Sequence, residues 1–125
     1  MRSVLIVEDS LMFRKKFLQL LSSRFSTVVF QDVGSRKEAL EKIGSSPPAL
    51  VFMDISLAQE DGLELTSRIK DLYPNIYVSV LTGHSGPEYR QAAYQNGADS
   101  FMVKGATKLE AIFALLQSVL FDGKG

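Results

Sequence analysis

Apolar residues along this chain follow two patterns that alternate from one end to the other. Short, continuous apolar runs rich in stiff β-branched residues are typical of strands buried on both faces. The predicted strands are Val4–Val7, Thr27–Phe30, Leu50–Met53, Tyr77–Leu81 and Phe101–Val103. Between these runs, apolar residues recur every three or four positions, as they do on one face of a helix. The predicted helical stripes contain Phe13, Phe17, Leu20 and Leu21, then Ala39, Leu40 and Ile43, then Leu65, Ile69 and Leu72, and finally Leu109, Ile112, Phe113, Leu116 and Leu120.

Local signals indicate where several of the helices begin. A Ser or Thr followed three residues later by Glu forms a capping box, in which the two side chains bond free N–H groups of the first turn. Ser35 with Glu38 and Thr107 with Glu110 have this spacing ahead of apolar stripes. Pro87 fits the first turn of a further helix, because its missing N–H would have no intrahelical partner there. The chain is therefore predicted to alternate five strands with five helices.

Strands that alternate with helices predict a parallel sheet covered by helices on both faces. The right-handed crossover rule leaves few topologies, and we expect a doubly wound, flavodoxin-like α/β fold with a five-stranded parallel sheet in the order 2-1-3-4-5. One domain is expected over residues 1–121, with residues 122–125 as a tail or the start of a linker. In such sheets, ligands bind beyond the carboxyl ends of the strands, at the switch point between strands 1 and 3.

Candidate site residues follow four of the five predicted strands, and the second strand lies away from the switch point. Glu8 and Asp9 follow the first strand, Asp54 the third, Thr82 the fourth and Lys104 the fifth. Three carboxylates that share one small volume repel one another unless a cation lies between them. Oxygen ligands without His or Cys suit a hard ion such as Mg²⁺, which favours phosphoryl chemistry. One carboxylate can then act as the nucleophile, while the hydroxyl donates to a phosphoryl oxygen and the ammonium offsets charge.

Composition narrows the range of functions. The 125 residues include 14 Lys plus Arg and 14 Asp plus Glu, so no net charge draws the domain to nucleic acid or to an anionic membrane. The absence of cysteine excludes disulfides and thiolate metal sites, and it is consistent with a reducing, cytoplasmic location. No apolar run approaches the length of about 20 residues that spans a bilayer. No Gly-rich phosphate loop follows the first strand, which argues against nucleotide hydrolysis.

Four stretches of sequence carry a resemblance that covers essentially the whole chain: VLIVEDS, LVFMDISLAQEDGLEL, LTG and GADSFMVK. In this order and approximate spacing, they resemble the receiver domain of two-component response regulators. The resemblance implies that Asp54 is the phosphoacceptor and that Glu8 and Asp9, with Asp54, hold Mg²⁺ or, in its place, Mn²⁺. The other roles that it implies are the backbone carbonyl of Ser56 as a metal ligand, Thr82 and Lys104 as phosphoryl-binding groups, and Thr82 with Phe101 as the switch pair.

The function implied by this resemblance is a phosphorylation-dependent signalling switch rather than an enzyme with turnover. A histidine kinase or a phosphotransfer protein would donate the phosphoryl group, and the domain would catalyse only its own phosphorylation and autodephosphorylation. The face formed by helix 4, strand 5 and helix 5 would then change shape and control an output domain, a partner protein or a second copy in a homodimer. His84, two positions after Thr82, is expected to modulate dephosphorylation together with Ser56. Neither nucleic acid nor a membrane is an expected partner of the domain itself.

Each of these residues also has a purely structural interpretation that stays open at the level of sequence. Asp54 alone is compatible with a helix cap, and either Asp9 or Ser10 can cap the first helix. Thr82 is compatible with a turn residue, Lys104 with a solvated lysine, and the aromatic residue of the last strand with plain core.

Two other function classes also remain open. A receiver-like module that binds partners without phosphorylation is the main alternative, and it predicts the loss of an acid or of the lysine. A phosphatase of the haloacid dehalogenase type would need a second Asp where this chain has Ser56. The chain departs from the receiver pattern at Gly105, which follows Lys104 where many receivers have proline, often in a cis bond, and the sequence leaves open whether the bond here is cis or trans.

Overall fold

Strands and helices alternate along the chain in the computed structural model, which describes residues 2–57 and 60–122. The five strands of the main sheet are β1 (Ser3–Val7), β2 (Val29–Val33), β3 (Leu50–Met53), β4 (Tyr77–Thr82) and β5 (Ser100–Val103). The helices are α1 (Leu11–Arg24), α2 (Arg36–Ser45), α3 (Gly62–Leu72), α4 (Pro87–Gln95) and α5 (Leu109–Leu120). The predicted doubly wound α/β class is confirmed.

The strands of the main sheet are all parallel, and their order across it is β2-β1-β3-β4-β5, as predicted from the crossover rule. Val7 lies opposite Val33 on one side and Met53 on the other, and Thr82 lies opposite Val103. The carboxyl ends of the strands therefore form one edge of the sheet. The polar residues that follow β1, β3 and β5 meet at this edge, beside the last residue of β4.

Helices cover both faces of the sheet, and alternate residues of the central strands point to opposite faces. On one face, Val4, Ile6 and Phe52 pack with the buried residues of α1 and α5. On the other face, Leu5 and Val7 pack with the buried residues of α2 and α3. Burial on both faces explains why the strand runs are continuously apolar rather than alternating.

The two predicted capping boxes have different outcomes. Ser35 accepts a hydrogen bond from the Glu38 N–H (3.2 Å), so the predicted start of α2 is confirmed. The predicted cap formed by Thr107 with Glu110 is wrong, because α5 begins without a side-chain cap. The Thr107 hydroxyl instead accepts from the Val103 N–H (2.9 Å). It satisfies a backbone donor at the end of β5, which is a competing use of the same oxygen.

The observed elements also differ from the predicted ones in one strand position and in the exposure of some helix residues. β2 covers Val29–Val33 rather than Thr27–Phe30, because an edge strand that is only half buried accepts polar residues that a search for apolar runs rejects. The helical periodicity predicts Leu20, Leu72 and Leu109 on buried helix faces, but they are 41%, 55% and 36% exposed. Each lies at the border of its apolar stripe.

A short antiparallel hairpin follows β3 and was not predicted. It pairs Ser56–Leu57 with Glu60–Asp61, and strands of two residues are too short to give a periodic signal. Asp61 then caps α3 by accepting a hydrogen bond from the Leu63 N–H (2.9 Å). The hairpin therefore connects the end of β3 directly to the first turn of α3.

The predicted tail, residues 122–125, is described only at Asp122, and residues 123–125 lie outside the described residues. Across residues 2–57 and 60–122, no helix is long and apolar enough to cross a membrane.

Candidate functional site

Three carboxylates lie at the carboxyl edge of the sheet, and backbone hydrogen bonds hold two of them in place. The Glu8 N–H donates to the carbonyl of Val33 (3.1 Å), and the Asp54 N–H donates to the carbonyl of Val7 (3.0 Å). These bonds continue the sheet by one residue beyond β1 and β3. Carboxylate oxygens of Glu8, Asp9 and Asp54 consequently lie within 4.8 Å of one another. The structure thus brings together the three acids that the sequence places at the strand ends.

The burial of these acids makes their negative charges costly and favours a bound cation. The residues Glu8 and Asp54 are only 3% and 6% exposed, whereas Asp9 is exposed. Like charges at this separation disfavour one another, and desolvation adds to the cost. Three carboxylates without nitrogen or sulfur ligands form a donor set that fits a hard divalent cation. The residues present therefore fit the metal ion that the sequence predicts.

Burial raises the pKa of the Glu8 carboxyl above its ordinary value, and the charge of the nearby Asp54 acts in the same direction. Two contacts act in the opposite direction: the Lys104 ammonium, and the Ser10 N–H, which donates to Glu8 Oε2 (2.9 Å). They lower this pKa by less than burial raises it. Ser10 is also the residue that caps α1, since its hydroxyl accepts from the Phe13 N–H (3.2 Å). Of the two candidates for this cap, the structure selects the serine.

Lys104 is the cation of the site. Its Nζ donates to Glu8 Oε1 and lies 3.4 Å from Asp54 Oδ2, so one ammonium bridges the ends of β1 and β3. Its backbone N–H donates to the carbonyl of Thr82 (2.8 Å), which ties the ends of β4 and β5 together. The side chain is 24% exposed and is therefore not a solvated lysine. The following peptide bond to Gly105 is trans, and Gly105 has φ of +80°.

Thr82 is fully buried at the last position of β4. Its hydroxyl accepts a hydrogen bond from the His84 N–H (3.3 Å), so it stabilises the turn that follows the strand. The interpretation of Thr82 as a turn residue is thus correct in this conformation. The same hydroxyl remains able to donate its proton to another acceptor.

Asp54 is not a helix cap, because the short hairpin follows it and Asp61 caps the next helix. Its Oδ1 accepts from the Ser56 N–H (3.0 Å), which orients the carboxylate toward the site. The first residue of α3, Gly62, passes very close to the backbone here. A Cβ at this position would lie 2.6 Å from the Cα of Ile55 and closer still to the Asp54 carbonyl oxygen. The glycine is required by this close approach.

His84 is exposed and lies beside the site. Its Nε2 is 2.7 Å from the hydroxyl of Ser56, so the loop after β4 contacts the hairpin after β3. Its ring stacks on Tyr89 of α4, with 4.4 Å between ring centroids. The imidazole therefore links the neighbourhood of Asp54 to the first turns of α4.

Phe101 lies on β5 opposite Val80, and its residue surface is only 7% exposed. It belongs to a small core that includes Ile55 and Ala93, which joins the loop after β3 to α4. The guanidinium of Arg90 lies over its ring, 5.2 Å from the centroid. In this conformation the aromatic side chain already faces inward.

Residues 4–117 match the family described as the response regulator receiver domain. This chain belongs to that family. The receiver domain is similar to the response regulator protein VraR of Staphylococcus saprophyticus, with 34% identity over 101 residues. The match covers 81% of this chain and 48% of VraR, so the chain spans about half the length of that relative. The predicted family is confirmed, and with it the function class of a phosphorylation-dependent signalling switch.

Solved structures show the same fold. The signal receiver domain of a DNA-binding response regulator from Colwellia psychrerythraea 34H has a TM-score of 0.90 at 21% identity, with 96% of this chain and 98% of that chain covered. A response regulator from Burkholderia pseudomallei, solved with a phosphorylated aspartic acid, a calcium ion and citrate, has a TM-score of 0.82 at 23% identity. That match covers 98% of this chain and 68% of the other. Receiver domains bind a divalent metal ion, and the acidic cluster of this receiver domain offers a place for one.

Arg14 is a part of the site that sequence analysis did not identify. Its Nε donates to Asp32 Oδ2 (2.8 Å), and its Nη1 donates to the backbone carbonyl of Glu8 (3.0 Å). Burial acts to raise the pKa of Asp32, but hydrogen bonds and charges from Lys15 and Arg14 outweigh it and hold that pKa below its ordinary value. Through Arg14, the edge strand β2 thus helps to hold the loop that carries Glu8 and Asp9. No periodicity or spacing in the sequence marks this arginine.

Proposed function

We propose that this receiver domain accepts a phosphoryl group on Asp54 and uses it to switch a protein-binding surface. The observation that carries the proposal is the convergence of Glu8, Asp9 and Asp54 at the switch point of the sheet, with the Lys104 ammonium between two of them. Glu8, Asp9, Asp54 and the backbone carbonyl of Ser56 would hold Mg²⁺, or Mn²⁺ in its place. The bound ion would neutralise phosphoryl oxygens during transfer.

The transfer uses groups that the site already presents. A carboxylate oxygen of Asp54 attacks the phosphorus of a phosphohistidine on a histidine kinase or a phosphotransfer protein. The P–N bond breaks, its electron pair stays on the imidazole nitrogen, and an acyl phosphate forms on the aspartate. The ammonium of Lys104 offsets the added charge, and the Thr82 hydroxyl donates to a phosphoryl oxygen. The domain thereby catalyses its own phosphorylation and has no separate substrate to turn over.

The proposed switch couples Thr82 to Phe101. When the Thr82 hydroxyl turns toward the phosphoryl group, it gives up the hydrogen bond from the His84 N–H. Because the Phe101 ring is already inward here, phosphorylation is proposed to increase the population of this inward state rather than to create it. A larger fraction of the molecules then presents the face formed by α4, β5 and α5 in the shape that a partner recognises.

His84 and Ser56 are proposed to set the lifetime of the phosphorylated state. Their side chains are hydrogen-bonded to each other, and the Ser56 N–H also binds the Asp54 carboxylate. Water that attacks the phosphorus has to pass this pair or displace it. The imidazole and the hydroxyl therefore act as a barrier whose strength depends on their mutual hydrogen bond.

The proposed partner of the switched face is an output domain, a separate protein or a second copy of the chain. Support comes from the Colwellia neighbour, which is the receiver domain of a DNA-binding response regulator, and from VraR, of which this chain spans about half. We propose that the receiver domain itself covers residues 1–121, with 122–125 as a tail or the start of a linker. We further propose that the protein is located in the cytoplasm and that this domain itself binds neither nucleic acid nor a membrane.

Incubation with acetyl phosphate and Mg²⁺ tests the acceptor. The parent protein is expected to gain the mass of one phosphoryl group, in a form that is stable to acid and labile to base. Asp54→Asn should remain unlabelled, and Asp61→Asn, which keeps a capping side chain on α3, should be labelled like the parent. Full labelling of Asp54→Asn would refute the assignment. A parent protein that stays unlabelled would favour the phosphorylation-independent interaction module.

A further inference from the structure

The ammonium of Lys104 rests on an aromatic ring. Its Nζ lies 4.2 Å from the centroid of the Phe13 ring while it contacts Glu8 and Asp54. A lysine within about 6 Å of a ring centroid is attracted by the negative face of the ring. One position of the ammonium therefore satisfies two carboxylates and one ring together.

Few other contacts constrain this lysine. Gly105, the next residue, has a positive φ, and a Cβ built on it would meet no atom within 4 Å apart from those of its two chain neighbours. A cavity of about 160 Å³ lies beside the lysine, lined by Leu81, Val103 and Ile112 among others. The downstream backbone and the neighbouring space thus leave the long side chain room to move away from the carboxylates. The ring of Phe13 is the uncharged contact that opposes such movement.

The ring itself is held by a series of aromatic contacts that starts in the sheet. Phe52 of β3 meets Phe17 edge to face, with 5.1 Å between centroids, and Phe17 stacks on Phe13 at 5.5 Å. The backbone N–H of Phe13 donates to the hydroxyl of Ser10, the cap of α1. Phe52 precedes Asp54 by two residues. The aromatic series therefore connects the ring beneath the ammonium to the strand that carries the acceptor.

We propose that Phe13 is a positioning residue for Lys104. It holds the ammonium where a phosphoryl group on Asp54 would meet it, and it does so without a charge. A carboxylate in its place would neutralise the ammonium and compete with the phosphoryl oxygens, whereas a ring face stabilises the cation and leaves its N–H groups free to donate. This proposal rests on the proposed function, because it assigns Lys104 to the phosphoryl group.

The test compares Phe13→Leu, which removes the ring face, with Phe13→Tyr, which keeps it. Phe113→Leu is the matched control, because the Phe113 ring is also half-buried beneath a cation, Arg24, at 5.5 Å. The first measurement is the NMR shift of the Lys104 ε-methylene protons in the unphosphorylated protein, assigned with Lys104→Arg. The second is the rate of labelling by acetyl phosphate with Mg²⁺, and thermal melts of each variant accompany both.

The parent and Phe13→Tyr should show ε-methylene protons shifted upfield by the ring current, and Phe13→Leu should show them at the value of a solvated lysine. Labelling should slow by about threefold to tenfold in Phe13→Leu, the factor that corresponds to a partly desolvated cation–π contact. Phe13→Tyr and Phe113→Leu should be labelled at the rate of the parent.

Two results would overturn the proposal. One is an ε-methylene shift that is the same in the parent and in Phe13→Leu, which would show that the contact is not populated in solution. The other is labelling of Phe13→Leu at the parent rate. If the proposed function fails instead, the parent protein itself remains unlabelled by acetyl phosphate. The ring-current shift is measured without a phosphodonor, so it still reports whether Phe13 holds the lysine.

Discussion

A methyl group added at Gly62 should damage the fold and the site together. The added Cβ of Gly62→Ala would lie 2.6 Å from the Cα of Ile55, which is 0.8 Å short of ordinary contact at 3.4 Å, and it would press still harder on the Asp54 carbonyl oxygen. Both neighbours are backbone atoms, so no side chain can rotate away. Relief requires α3 to retreat from the hairpin or the end of β3 to shift. Overpacking of this kind costs about 3 kcal/mol of the free energy of unfolding.

A loss of about 3 kcal/mol corresponds to a fall of roughly 10 °C in the melting temperature of a domain of this size. Urea unfolding and a thermal melt followed by circular dichroism would measure it. Labelling by acetyl phosphate should also slow at temperatures where the variant is folded, because Asp54 immediately precedes one of the displaced residues.

Gly44→Ala is the matched control for this variant. Its Cβ would meet only the hydroxyl of Tyr73 at 3.8 Å, and the position lies inside α2. Replacing a helical glycine by alanine should therefore stabilise the domain by about 0.5–1 kcal/mol. If Gly62→Ala proved as stable as the parent, or if both variants changed stability in the same direction, the close approach at Gly62 would not be what requires a glycine.

Three further predictions concern the metal, the lifetime and the edge strand. Titration with Mg²⁺ should reveal one weak site that Asp9→Ala removes, and unchanged affinity in that variant would mean that Asp9 is no ligand. His84→Ala should change the rate of autodephosphorylation severalfold at an unchanged melting temperature, and equal decay rates would remove His84 from the proposal. Asp32→Asn should destabilise the domain by about 1–2 kcal/mol at neutral pH, because charged hydrogen bonds from Arg14 and Lys15 are lost. The folded pKa of Asp32 lies below the ordinary 3.8, so this stability is present above about pH 4 and is lost as the pH falls through the folded pKa. The difference in stability between the parent and Asp32→Asn should therefore shrink at low pH. A difference that is independent of pH would contradict the ion pair.

The positions of the acids could be predicted from sequence because they follow from the geometry of a parallel sheet. A residue that directly follows a buried strand has to appear at the carboxyl edge, whatever the details of the loops. Glu8, Asp54 and Lys104 therefore meet in the structure as the sequence indicates. The roles assigned to them came from the family resemblance, and those roles remain predictions until the labelling experiment is done.

The features that sequence analysis missed share a different physical origin. Arg14 and Phe13 act through contacts to residues far away in the chain, and their places on α1 look like any first turn. The Thr107 hydroxyl accepts from the Val103 N–H instead of capping α5, and the spacing of Thr107 and Glu110 alone could not show this. β2 was misplaced because an edge strand does not need an apolar sequence.

The backbone bonds that extend the sheet into the site have a consequence for how the domain opens. The amide protons of Glu8, Asp54 and Lys104 each point at a carbonyl on a neighbouring strand. The Asp54 amide can exchange with solvent only when the central strands β1 and β3 separate, whereas the Glu8 and Lys104 amides exchange when the edge strands β2 and β5 open. The backbone of the acceptor Asp54 should therefore be protected from exchange more strongly than the backbone of Glu8 or of Lys104. Opening at either edge of the sheet can thus displace the acidic pair or the lysine while the acceptor keeps its place between the two central strands.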